Sequence, residues 1–224
     1  MNKDKILLQL FLIVALIEIT AEYFRILPLI YIFKPAISII IILLYWKNSQ
    51  KRELLFFLTI GTSLVTNVLF IPNQYNLIFI ALVVFVLHRI ITIYYILKVK
   101  AIKDYVPIIL ASIPFMFLFF YIFFDTELVS KKIYIILIIH NILISLLGGI
   151  ALADYIMNHS TFSYWLLICV ISFVTLHFII FLEKFYIDLL IFRPIAMSLN
   201  IFAYFAFYKF IIDIEKSESI YLKG

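Results

Sequence analysis

The stretch "IYIFKPAISIIIILLYW", residues 30–46, decides the fold, because it reads as lipid-facing helix except for Lys34 and Pro35. A lysine at the centre of a membrane helix costs about 2.5–3.5 kcal/mol on insertion scales, so Lys34 requires a partner close by. Pro35 lacks an N–H and frees the carbonyl of Tyr31 toward whatever Lys34 faces.

The rest of the chain has the same character. Of 224 residues, 66% are apolar and 14% charged. A soluble domain of that size cannot hide so much apolar surface, so residues 1–224 read as a single integral membrane domain. A helix needs about 20 apolar residues to cross the hydrocarbon core. Runs of that length lie near 6–24, 26–46, 54–72, 77–97, 105–124, 133–157, 162–182 and 189–212. They are continuous rather than alternating, which excludes barrel strands. The expected fold class is all-α: a polytopic membrane helix bundle of about eight transmembrane helices. The polar breaks are "KNSQKRE", "PNQYN", "KVKAIKD", "DTELVSKK", "NHST" and "EKFYID", and Pro28 supports a very tight turn at Arg25.

The first run resembles a signal peptide, but Glu18 and Glu22 stand where small cleavage-site residues belong, so it reads as an uncleaved span. Lysine and arginine set the orientation. Lys3, Lys5, Lys47, Lys51, Arg52, Lys98, Lys100, Lys103, Lys209, Lys216 and Lys223 fall on one side, and Arg25, Lys131, Lys132, Lys184 and Arg193 on the other. That asymmetry places both termini in the cytoplasm. A vocabulary rich in Ile, Phe, Lys and Asn points to an AT-rich bacterial genome, hence to the bacterial inner membrane.

Several functions are excluded. The single cysteine, Cys169, lies in an apolar run and forms neither a disulfide nor a thiolate metal site within one chain. The net charge of +5 belongs mostly to loops, with no basic, aromatic-interleaved surface for nucleic acid. No G-x-S-x-G, H-E-x-x-H, phosphate-binding glycine loop or C-x-x-C is present, and the histidines have no metal-ligand spacing. No metal or cofactor is expected. "LLGGIALAD" (146–154) reads as a close helix crossing.

The polar residues inside the runs carry the functional signal. Counted at 1.5 Å per residue from the outer end of each run, Glu18 lies ~9 Å deep, Lys34 ~12 Å, Asn67 ~8 Å, His140 ~10 Å and His177 ~8 Å. His88 is deeper at ~16 Å and Arg193 shallower at ~6 Å. Intramembrane ionisable groups face the bundle interior or a water-filled cavity, so one shared depth suggests one polar chamber opening outward. Each residue also has a plainer role. Lys34 pairs with Glu18 only to make insertion tolerable, and the histidines and Asn67 bond neighbouring helices as neutral groups. Arg193 and Arg89 snorkel or bond freed carbonyls, and Asp154 sits at an interface.

On Lys34-Pro35 in the second span, His88 in the fourth, Pro107 opening the fifth and "EKFY" (183–186) after the seventh, the chain resembles the YhhN family. These are eight-span membrane proteins that include lysoplasmalogenases. The resemblance implies hydrolysis of the vinyl ether of a lysolipid, which needs an acid to protonate the enol carbon and a base to direct water. The family usually carries a Gly-Asp pair in the third span and a Ser-Asp pair in the seventh. Here Thr66-Asn67 and Leu176-His177 fall at those places. Two outcomes follow: a shifted catalytic set of Glu18, His177 and His88, or a scaffold that binds a lysolipid without hydrolysing it. Lys34, Asn67, His140 and Arg193 would bind substrate. The alternative is a small carrier or proton-coupled transporter using the same polar slab. On either reading the partners are the bilayer and a membrane lipid or lysolipid, with no nucleic acid.

Overall fold

In the computed structural model the described residues are 3–100, 104–124, 131–187 and 189–221. Lys103 and Lys223, counted above, lie outside them, as do parts of the breaks after the fourth, fifth and seventh runs. The described residues form eight helices and no strand: α1 (Lys3–Phe24), α2 (Leu27–Asn48), α3 (Leu54–Phe70), α4 (Tyr75–Val99), α5 (Val106–Phe124), α6 (Lys131–Asn158), α7 (Thr161–Phe185) and α8 (Phe192–Tyr221). Seven are long and apolar enough to cross a membrane, and α3 is a shorter apolar helix. Leu16, Ile32, Leu87, Phe117, Ile135 and Phe202 all stand exposed on the outside of the bundle. Unpaired apolar surface on that scale suits a multi-pass membrane protein and not an aqueous one.

Consecutive helices pack against each other as antiparallel neighbours, except that α4 meets α6 in preference to α5. The last helix closes the bundle, packing on α7, α1 and α2. Most of its length is therefore inside the protein. Its core-facing side chains include Ala203, Ala206, Phe207 and Phe210, all fully buried. Phe207 stacks on Phe56, which stacks in turn on Tyr45.

With four glycines in the chain, most turns are built without them. Arg25, Arg52, Asn73 and His159 take positive φ at the ends of helices or in the loops between them. Each adopts the left-handed conformation that glycine would adopt at lower cost. The α1–α2 turn is closed by Ile26 N–H donating to the Ala21 carbonyl at 2.9 Å, with Pro28 in the first turn of α2. Pro35 lies within α2 without ending it. Ser160 caps α7 by accepting from the Ser163 N–H at 3.2 Å.

The close crossing expected at Gly148-Gly149 is present between α6 and α5. A Cβ on Gly149 would lie 2.6 Å from the Ile108 carbonyl and would collide with the Ser112 hydroxyl, and one on Gly148 would lie 2.8 Å from the Phe115 ring. Glycine is what lets these two backbones touch.

The loops gather at two ends. One end holds the α1–α2, α3–α4 and α7–α8 turns, the last two linked where Lys184 donates to Asn73 at 3.3 Å. The other holds the α2–α3 and α6–α7 turns and the end of α4. There Lys98 pairs with Glu53 at 2.9 Å, and Lys100 pairs with Asp154. Asp154 thus belongs to an end of the bundle, as its plainer reading had it.

Candidate functional site

Lys34 does have a carboxylate partner, but it is Glu22 rather than Glu18. The ammonium donates to Glu22 Oε1 at 2.5 Å, with both side chains largely buried. The reason is geometric. Helical side chains lean toward the N-terminus of their helix, and the N-terminus of α2 is its end at the tight Arg25 turn. The long lysine stem therefore carries its charge about one turn nearer that turn than its own Cα, to the level of Glu22. Glu18, one turn further along α1, is completely buried, and neither of its oxygens has a hydrogen-bond partner.

The Glu22–Lys34 pair forms part of the wall of a cavity of about 230 Å³ at the end that holds the Arg25 turn. Asn67 and Thr66 of α3 line it, as do Glu183 and Lys184 of α7 and Arg193 and Asn200 of α8. Arg193 Nε donates to Glu183 Oε1 at 3.0 Å, so Arg193 is held by a carboxylate rather than by freed carbonyls. Asn67 leans on Ser63, whose hydroxyl donates to Tyr204. Apart from Asn73, the remaining wall is apolar and aromatic, with Ile30, Phe70, Phe85, Leu176, Met197 and Tyr204 among its members. Three cations, Lys34, Lys184 and Arg193, stand against two carboxylates, Glu22 and Glu183, leaving one positive charge in excess.

The single chamber anticipated from depth is therefore two regions. Lys34, Asn67 and Arg193 share the cavity, whereas Glu18, His88, His140 and His177 are not on its wall. The three histidines form a second cluster behind Phe85. His88 Nδ1 donates to the Thr59 carbonyl at 3.0 Å, and His140 Nε2 to the Leu82 carbonyl at 3.1 Å. His177 Nε2 donates to Asn141 Oδ1 at 3.0 Å. The rings of His140 and His177 lie 6.1 Å apart, and the Phe85 ring packs on both His88 and His140. Depth is a single coordinate. It does not say which face of an all-apolar helix a residue occupies, and that face separates the two regions.

Residues that the depth argument leaves out of the site include Glu22, Glu183, Lys184 and Asn200 in the cavity and Asn141 in the cluster; Arg89, read as snorkelling or bonded to freed carbonyls, is instead fully buried with no carbonyl partner. Glu22 is four residues from Glu18, hence on the same face of α1, so its spacing was a usable signal. Asn141 directly follows His140 in "IIHNIL" and sits mid-span, a position as costly for an amide as for an imidazole. Among the described residues no three His, Cys, Asp or Glu side chains gather closely enough to hold a metal ion. Compared with known proteins, the chain matches no family model, no curated protein and no solved structure.

Proposed function

We propose that the chain is an eight-span protein of a bacterial cell membrane, with α3 as its shortest span and both termini in the cytoplasm, and that the cavity opens outward and binds a lysolipid. The observation that supports this reading is the cavity's make-up: two ion pairs, an excess cation and a few neutral polar side chains on a mostly apolar wall. A phosphate-bearing head group meets Lys34, Lys184 and Arg193, while the acyl or alkenyl chain lies along Ile30, Phe70 and Met197. The YhhN resemblance, carried by Lys34-Pro35, His88, Pro107 and residues 183–186, names the same ligand class. The carrier reading has less behind it, because none of the described helices is interrupted at the cavity as transporter half-helices are.

A second reading, hydrolysis of the lysolipid, is favoured by Glu22 and Glu183 lining one cavity from two helices. One carboxyl would protonate the enol carbon of a vinyl ether and the other direct water, releasing aldehyde and glycerophospho-alcohol. In this reading the acid–base work falls to these two rather than to Glu18 and His177.

The test is titration of the purified chain with lysophosphatidylcholine and with lysoplasmalogen, followed by unfolding midpoint and by aldehyde release. Both lipids raise the midpoint, and Lys34→Ala or Arg193→Ala weakens binding by about tenfold, the scale of one charge-assisted contact. Absence of binding by either lipid ends the lysolipid reading. Binding without turnover between pH 5 and 9 ends the hydrolase reading alone.

A further inference from the structure

Behind the cavity's Phe85 lies an arginine with nothing to bond. Arg89 of α4 is 1% exposed, and its guanidinium is sandwiched between Phe85 and Phe173 at 4.6 and 4.4 Å from the ring centres. The stacking satisfies the faces of the group but not its edges. Nε and both terminal nitrogens have no hydrogen-bond partner, and Arg89 forms no ion pair among the described residues. An unpaired cation inside a low-dielectric interior costs several kcal/mol, so a compensating charge is called for.

The groups that share the Phe85 ring with Arg89, and Asn141 next to His140 on α6, define what that charge looks like. Asn141 Oδ1 is taken by His177, and the Asn141 amide nitrogen is left without an acceptor. His88 donates through Nδ1 and His140 through Nε2, each to a carbonyl. Their other nitrogens, His88 Nε2 and His140 Nδ1, are therefore acceptors, and both lack a donor. Arg89, His88 and His140 all pack on the one Phe85 ring. The cluster thus offers five guanidinium and two amide N–H groups, one positive charge, and two imidazole lone pairs.

We propose that this cluster is a binding site for a hydrogen phosphate group, reached from the cavity past Phe85. The in-plane fork of Arg89 and the Asn141 amide donate to the phosphate oxygens, and a P–OH donates to His88 Nε2 or His140 Nδ1. Water brings donors and acceptors in equal number and no charge, so it leaves the guanidinium uncompensated. Sulfate has the charge and the acceptors but no hydroxyl at neutral pH, so it fails at the imidazoles. The site rests on these unpartnered groups and not on the lysolipid reading.

Equilibrium dialysis of the purified full chain against radiolabelled inorganic phosphate tests it, alongside unfolding midpoints in phosphate, sulfate and chloride at matched ionic strength. One phosphate binds per chain, and phosphate raises the midpoint more than the other anions do. Arg89→Gln weakens binding at least about tenfold, as expected when a charge-assisted fork is lost. Asn141→Leu removes two donors and no charge; it weakens binding less and serves where Arg89→Gln fails to fold. Lys51→Ala, at an exposed ion pair away from both the cavity and the cluster, leaves phosphate binding unchanged and controls for the loss of a cation as such. Lysophosphatidic acid, a phosphomonoester, distinguishes the source. If it displaces the label, the group comes from a lipid head; if the label stays, free phosphate is the ligand. Two results overturn the proposal: a wild-type chain that binds neither probe, or variants that bind phosphate as tightly as wild type. Equal binding of sulfate overturns it as well, because the imidazole lone pairs then play no part.

Discussion

Two buried polar clusters in this bundle differ in one respect that separates their roles. At the end away from the cavity, Glu215 of α8 is 8% exposed, and both of its oxygens are filled. Tyr45 donates to Oε1 at 2.8 Å, the Ser49 hydroxyl contacts both oxygens, and the Gln50 N–H reaches Oε2 at 3.2 Å. The ring of bonds continues outward: Tyr45 and Ser49 accept from the backbone N–H of Glu53 and Arg52. This fixes the α2–α3 loop against the last helix. In the middle of the bundle, Arg89, His88, His140 and Asn141 are equally buried, yet each keeps at least one polar atom unpartnered. A satisfied network stabilises one structure; an unsatisfied one marks a place where the fold gives up stability, as functional sites do.

The contrast predicts mutations of opposite sign. Glu215→Ala strips four donor contacts from one buried carboxylate site and costs about 3–4 kcal/mol, because the tyrosine, serine and amide groups are left buried without acceptors. Its unfolding midpoint in detergent falls accordingly, and a midpoint unchanged from wild type breaks the comparison at its stronger half. Arg89→Met goes the other way in phosphate-free buffer. Replacing an unpaired buried cation by an apolar side chain of similar length stabilises the chain by about 1–3 kcal/mol. A clear loss of stability there shows that Arg89 has a structural partner after all.

How far the sequence already contained this contrast differs from residue to residue. The eight helices were legible because apolar runs of membrane length are hard to mistake, and their bounds agree within three residues except at the end of α8. That helix continues nine residues past the expected position 212, to Tyr221. The extension, "DIEKSESIY", is polar, so hydropathy stops short of it and gives no signal for Glu215. Lys34 is legible as a side chain that needs a partner because a mid-span lysine is costly wherever it points. Its partner is not, since pairing depends on the lean of side chains along α2 and not on matched depth. The division of the polar groups into cavity and cluster was out of reach for a related reason. Helices that are apolar all round carry no stripe from which to read their inward face.

A third test sharpens the comparison at the cavity. The Glu22–Lys34 pair lies between the two extremes: each partner is satisfied once, in a place that is partly open. Lys34→Met therefore leaves Glu22 short of a single bond and costs about 1–2 kcal/mol. Lysolipid, if it bridges to Arg193 and Lys184, still binds, but more weakly. A loss as large as that of Glu215→Ala would place the pair with the structural network instead.

The smallest effect belongs to an ion pair at the same end as Glu215. Lys51 donates to Glu218, and both side chains are more than 40% exposed. The hydrogen bond that Lys51 donates to Glu218 holds its ammonium above the ordinary pKa of 10.5. A raised lysine contributes stability that is complete below its unfolded-state value and is lost as pH rises through the folded-state value, so the contribution disappears only above about pH 10.5. Solvent screens a pair so exposed, and Lys51→Ala shifts stability by less than about 0.5 kcal/mol at pH 7. The pair stands only one turn from Glu215 along α8, so this null result carries information. It assigns the strength of that end to the buried carboxylate and its donors rather than to net charge. A Lys51→Ala loss approaching that of Glu215→Ala would mean that burial is not what separates the two.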